Sequence, residues 1–182
     1  MRPVLGQPVP LHDERRMVRT EEIWQILRNG GLDAEPSPDE ADSGVRLVGR
    51  LDCFSNPSGV DALGVMLAER AKELDPDVVI VGEGAKDLLI GFIVARELRR
   101  PMVRCLNLEG LIGATSDVPE GTRAIFVADK IRKSGFVYAV RNFVEREGGE
   151  LVAVVSFVTA DSPGLPVPWV GLVTARDGLR KS

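Results

Sequence analysis

Two hydrophobic rhythms alternate along this chain. Val60, Leu63, Leu67, Ala71 and Leu74 recur at steps of three and four, which lines them up on one stripe of a helix. Asn56-Pro57 supplies its start, because an Asn side chain can accept an orphan amide bond and proline is tolerated at the first helical position. The run Asp77-VVIV-Gly82, bounded by Pro76 and Gly82, has the continuous apolar character of a central strand covered on both faces. The pattern then repeats. Leu88, Leu89, Phe92, Ile93 and Ala95 predict a second helix, and Met102-VRCL after Pro101 a second strand. Arg123-AIFVA predicts a third strand, followed by a helix from Gly135 to Glu147 that aligns Val137, Val140, Phe143 and Val144. Gly148-Gly149 ends that helix before Leu151-VAVVSFV, the last strong strand. This order predicts an α/β fold in three layers, a mainly parallel central sheet flanked by helices, with right-handed crossovers.

The ends of the chain are less regular. Residues 1–19 read as a poorly ordered N-terminal arm, and 20–182 as a single domain with hood elements near 20–56 and 160–182. Thr20 is the expected cap of a short helix carrying Ile23, Ile26 and Leu27 on one face, stopped by Gly30-Gly31. The stretch Asp33 to Ser43, DAEPSPDEADS, combines acids with prolines and reads as a solvated loop. Val45, Leu47 and Leu51 roughly alternate, as an early strand would. Asn107 to Thr122 is Gly-rich and without periodicity, which predicts a long loop of the functional or mobile kind.

Composition narrows the function classes. With 182 residues, 44% hydrophobic and 27% charged, the chain suits one globular domain. Its formal charge of −4 offers no general attraction to nucleic acid. No run approaches the roughly 20 apolar residues needed to span a bilayer, so no membrane insertion is expected. The proline-containing, charged N-terminus predicts no export signal, and a cytoplasmic location follows as the expectation. Cys53 and Cys105 form no C-x-x-C pair and read as buried thiols. The one histidine, His12, stands in the arm, which argues against histidine-based catalysis.

Ligands of open parallel sheets bind beyond the carboxyl ends of the strands, so the turns after Val81, Leu106 and Val127 carry the candidate chemistry. The segment Ile125-FVADKIRKSGFVYAVRNFVEREGGELVAVVSFV resembles the phosphoribosyltransferase signature: strand, acidic pair, Thr-Thr-Gly-type loop, helix, small-residue turn, strand. The upstream LDPDVVIVGEGAKDLLIGFIVARELRRPMVR is similar to the family's pyrophosphate-loop unit. The N-terminal helix and the C-terminal Pro168-WVGLVTARDGL resemble the ends of orotate phosphoribosyltransferase, so the resemblance spans Thr20 to Leu179.

In that family a helix N-terminus holds the 5-phosphate of phosphoribosyl pyrophosphate, and two acids hold the ribose hydroxyls. Magnesium-pyrophosphate leaves past a small-residue turn and a basic loop. Transferred to this sequence, the resemblance makes Asp129 the catalytic acid if the chain is active. Arg132, Lys133, Ser134, Gly135 and Phe136 become the phosphate-binding turn, and Glu83, Gly84, Ala85 and Lys86 the pyrophosphate loop. Arg104, Asn107 and Glu109 fall in the mobile loop.

Each motif is altered. Ala128 replaces the first acid of the pair, and Arg132-Lys133-Ser134 replaces Thr-Thr-Gly. The two cations either hold a phosphate or form a solvated basic turn. Glu83 would repel pyrophosphate, with Lys86 as a partial offset or as one half of a surface pair with Glu83 or Asp87. The mobile loop retains a positive charge only at Arg104, while Leu108, Leu111 and Ile112 suit an interface or lid.

The expected function is therefore an orotate-phosphoribosyltransferase-like protein with reduced or lost transferase activity that binds a small phosphorylated ligand. The alternative is an active enzyme transferring ribose 5-phosphate to an unusual nitrogen base, with Asp129 and magnesium, and with the base near Asp52 to Asn56. Magnesium is expected only in that case. A dinucleotide enzyme is a third class, weakened because Asp87 stands where Gly82-x-Gly84 would need its third glycine. The resemblance also implies a homodimer, with Asn107 to Gly113 as a candidate contact.

Overall fold

The computed structural model describes residues 14–37, 45–108, 111–129, 134–159 and 164–179. His12, Glu109, Arg132 and Lys133 lie outside the described residues, as does the stretch 38–43 of the expected acidic loop. Helix α1 covers Glu14–Asn29, beginning six residues before Thr20. Strands β1 (Leu32–Pro36) and β2 (Val45–Gly49) follow, then α2 (Pro57–Ala71), β3 (Val78–Val81), α3 (Ala85–Leu98), β4 (Met102–Leu108) and β5 (Leu111–Ala114). The chain continues through β6 (Arg123–Ala128), α4 (Ser134–Arg146), β7 (Glu150–Thr159) and β8 (Trp169–Thr174).

Six strands form one sheet in the order β5-β4-β3-β6-β7-β8, parallel except for β5. Alternation of buried side chains explains the three layers. Val79, Val81, Ile125, Val127, Val155 and Phe157 face α2 and α3, with Leu63, Leu67, Ile90 and Val94 packed on them. Val78, Ile80, Phe126 and Val154 face the other way, toward Val137, Val140, Phe143 and Val144 of α4. The three-layer fold expected from the sequence is the fold observed, including the Asn56 cap, whose Oδ1 accepts the Gly59 amide at 3.1 Å.

Four local expectations are corrected. Asp33 to Pro36 is part of β1, paired antiparallel with β2, because Leu32 and Ala34 alternate inward while the acids face out. The expected long loop shrinks to 115–122, since β4 and β5 form an antiparallel hairpin in the register Leu108↔Leu111, Leu106↔Gly113. Arg104 and Asn107 consequently stand on a strand rather than on a free loop, and Ile112 is buried with α4 rather than presented at an interface. Phe92 is 56% exposed, because the buried face of α3 runs through Ile90, Ile93 and Val94.

The hood sits on the α2 side. Trp24 is fully buried on α1, and Arg28 binds Asp33 at 3.1 Å and the carbonyl of Gly178 at 2.8 Å, tying α1 to β1 and to the 3-10 turn Ala175–Gly178. At the far edge, Trp169 Nε1 on β8 donates to Ser156 Oγ of β7 at 2.7 Å. The Ser156 hydroxyl in turn donates to the Val158 carbonyl, so a buried polar residue is fully used in fixing the edge strand.

Candidate functional site

Sheet order brings the candidate turns together. Val81, the last residue of β3, is flanked by Val127 of β6 on one side and Arg104 of β4 on the other. Neighbouring strands lie about 4.8 Å apart, so the chain exits after Val81 and Val127 open side by side at the carboxyl edge. Into that edge project the turn 82–84, the first turn of α3, Asp129, and the first turn of α4.

The β3–α3 turn is tighter than the sequence suggests. Gly84 is the residue before α3, so Ala85, Lys86 and Asp87 already lie in the helix's first turn. Of the four pyrophosphate-loop candidates, Glu83 and Gly84 are in the turn and exposed, while Ala85 and Lys86 are helical. Asp87 closes the arrangement. Its Oδ1 accepts the backbone amide of Asp129 at 3.0 Å. Its Oδ2 lies beside both glycines: a Cβ built on Gly82 would sit 3.2 Å from it, and one on Gly84 3.0 Å from it. Burial raises the Asp87 pKa, the Asp129 amide opposes that rise, and the Asp129 charge adds to it.

Helix α4 begins at Ser134. Gly135 is exposed, with nothing within 4 Å of where a Cβ would stand. Phe136 turns inward, packing edge-on against Phe126 with ring centroids 5.7 Å apart, and its Cε1 would lie 3.7 Å from a Cβ on Gly82. This aromatic contact sets the start of α4 against the β3–α3 turn, so Phe136 positions the phosphate-binding candidates through its ring. Asp129 is half-buried just past β6, and Ala128 before it is buried in the α4-side core.

Arg104 occupies the next strand. Met102 packs with the α3-side core and Val103 and Cys105 with the α4-side core, so alternation turns Arg104 toward α3. It is half-buried, and its Nε is a buried donor with no hydrogen-bond partner in the described structure. Donors of this kind are uncommon in folded proteins unless a water, ion or ligand serves them.

Within the expected base-holding stretch of the hood, the sequence marks Cys53 only as a buried thiol. Cys53 is buried, and its pKa is pushed up to about 11 by desolvation, with Lys86 opposing and Asp129, Asp52 and Asp87 adding to the rise. Those influences place the 52–53 segment near the carboxyl edge of the sheet. The expected base-holding stretch is largely engaged with its own backbone: Asp52 Oδ1 accepts the Phe54 amide, and Asn56 caps α2. Phe54 remains 66% exposed. No cluster of three or more His, Cys, Asp or Glu suited to a metal ion occurs among the described residues. No helix among them is long and apolar enough to cross a membrane.

A parallel sheet of this order, closed by an antiparallel hairpin and with its acid and helix-start turns at one edge, is the type I phosphoribosyltransferase fold. Solved structures of that class superpose over most of the chain. Adenine phosphoribosyltransferase from Thermoanaerobacter pseudethanolicus matches with a TM-score of 0.63 at 16% identity, over 83% of this chain and 99% of that one. The Saccharomyces cerevisiae adenine enzyme, in complex with adenine and an imino-altritol bisphosphate, matches at 0.60 and 23% identity, over 84% and 99%. Orotate phosphoribosyltransferase from Mycobacterium tuberculosis, in complex with inorganic phosphate, matches at 0.59 and 18%, over 87% and 96%. No protein-family model matches the sequence. At these identities the likeness establishes the fold, and both adenine and orotate enzymes share it.

Proposed function

We propose that this chain binds a phosphorylated, ribose-phosphate or nucleotide-like ligand at the carboxyl edge of its sheet, with phosphoribosyl transfer reduced or lost. The observation that carries this reading is the placement of Asp129 just past β6 at the same sheet edge as the start of α4, where Gly135 is exposed with open space around it. Asp129 would receive a sugar hydroxyl. Ser134, Gly135 and the Phe136 amide would receive the phosphate, with Arg132 and Lys133 supplying charge from the preceding segment.

Weak transfer is supported by what stands around that turn. Ala128 offers no second acid for the diol, and Glu83 and Asp87 set negative charge where a departing pyrophosphate would need neutralisation. Arg104 lies on a strand, so it cannot close as part of a free loop. Magnesium belongs to this reading only if turnover occurs, when Asp129 would act with it. A cytoplasmic homodimer is part of the same proposal.

Calorimetry with ribose 5-phosphate, nucleoside monophosphates and phosphoribosyl pyrophosphate tests the binding. Saturable heat that Asp129→Asn weakens supports it, and silence across the panel overturns it. Pyrophosphate release with a panel of nitrogen bases, abolished by Asp129→Asn, would instead establish an active transferase.

A further inference from the structure

Two glycines leave the backbone bare between β3 and the start of α3. A glycine turn leading into a helix presents unpaired amides and a partial positive charge, which suits an anion. In this chain a carboxylate already faces that turn. Asp87 sits in the third position of α3, where an acid commonly bonds the helix's own first amides. Here its hydrogen bond goes across the sheet edge to the amide of Asp129. That reach holds Oδ2 against Gly82 and Gly84, within 3.0–3.2 Å of where side chains would begin. Gly82 and Gly84 therefore make room for the protein's own carboxylate rather than for a visiting anion. Glu83, exposed on the same turn, adds negative charge.

We propose that Asp87 determines the specificity of the edge site by closing the β3–α3 turn to a diphosphate group, so that the site takes a phosphate monoester at the α4 turn. The ligand class is then ribose 5-phosphate or a nucleoside 5′-monophosphate. The monoester half rests on the phosphate-binding reading above, whereas the exclusion of diphosphate stands on the Asp87 geometry. Two effects act together. The carboxylate fills the space over the glycines, and its charge repels a second anion only a few ångströms away in a partly desolvated edge.

The probes are inorganic pyrophosphate and ribose 5-phosphate, titrated calorimetrically into the full-length chain and its Asp87→Asn and Asp87→Ala variants. Asn keeps the acceptor for the Asp129 amide and removes the charge; Ala removes charge and volume. Asp87→Ala is expected to bind pyrophosphate tighter than the parent by on the order of tenfold or more, with Asn gaining part of that, while ribose 5-phosphate affinity moves by less than about twofold. Unchanged pyrophosphate affinity in both variants, each shown to be folded by circular dichroism, overturns the inference. If ribose 5-phosphate is silent but pyrophosphate affinity rises, the exclusion stands and the monoester reading falls. If ribose 5-phosphate binds and pyrophosphate affinity stays flat, the reverse holds.

Discussion

Asp87 of α3 and Asp129 of β6 are joined by a hydrogen bond of 3.0 Å from the Asp129 amide to the Asp87 carboxylate. The bond couples the two turns that define the candidate site. It also brings two acids together in a place where burial already disfavours charge, so Asp87 is ionised at a cost, which its amide partner and Lys86 only partly offset.

That cost should be visible in the pH dependence of stability. The folded state holds the Asp87 proton above the ordinary carboxyl value of 3.8, so the unfolded state releases it first as pH rises. Ionisation thus pulls toward unfolding, increasingly so up through the raised folded-state value. Asp87→Asn is expected to match the parent melting temperature below 3.8 and to exceed it at neutral pH. Thermal melts across that range check this, and a variant less stable than the parent at neutral pH would show that the ionised bond to Asp129 outweighs desolvation.

The two thiols give the opposite end of the pH scale. Burial pushes both Cys53 and Cys105 from 9.0 to about 11, with Lys86 partly opposing at Cys53. Each proton is retained longer in the folded state, so stability attributable to the thiols is complete below 9.0 and is lost as pH rises toward 11. The full loss is on the order of 3 kcal/mol per thiol. A Cys53→Ala/Cys105→Ala double variant, less stable overall from lost packing, should show a shallower fall in melting temperature across that window. At pH 8 neither native thiol should react with iodoacetamide, and both should in denaturant.

Arg28 anchors the hood. Its side chain is 13% exposed and bonds Asp33, Glu21 and the Gly178 carbonyl while lying 5.6 Å from the Trp24 ring centroid. Arg28→Met keeps the stem and removes the donors, leaving a backbone carbonyl of the C-terminal turn without that partner. A destabilisation of roughly 1–3 kcal/mol is expected in urea unfolding. A loss near zero would mean that water replaces all three bonds.

The sequence was most legible where burial is continuous. The runs VVIV and AIFVA and the stripes of α2 and α4 carry their period in the side chains themselves, and they became β3, β6 and two flanking helices. The hairpin β4–β5 is hard to read in the sequence because no Asn-Gly or Asp-Gly signal stands between its two strands and because Gly113 breaks the apolar run of β5. Strand β1 was hidden by its acids, which point outward while Leu32 and Ala34 point in. The positions of Asp129 just past β6 and of the start of α4 followed from motif order. Asp87 did not: adjacent to Lys86 in sequence, it reads as half of a surface pair, and its bond to a residue 42 positions away depends on sheet order.

Arg104 offers the sharpest separation of stability from function. Its Nε is buried without a partner, a condition that costs the folded chain on the order of 1–3 kcal/mol unless a ligand or water relieves it. Arg104 is the register partner of Val81, the last residue of β3, so if the proposed phosphate ester binds, its guanidinium would serve as a counter-charge. Arg104→Met retains the apolar stem beside α3 and deletes the unsatisfied donor. The melting temperature of the ligand-free chain should hold or rise, while affinity for ribose 5-phosphate falls by on the order of tenfold. Equal ligand affinity in parent and variant would remove Arg104 from the site. A lower melting temperature with unchanged affinity would mark it as a structural residue whose donor is served by water.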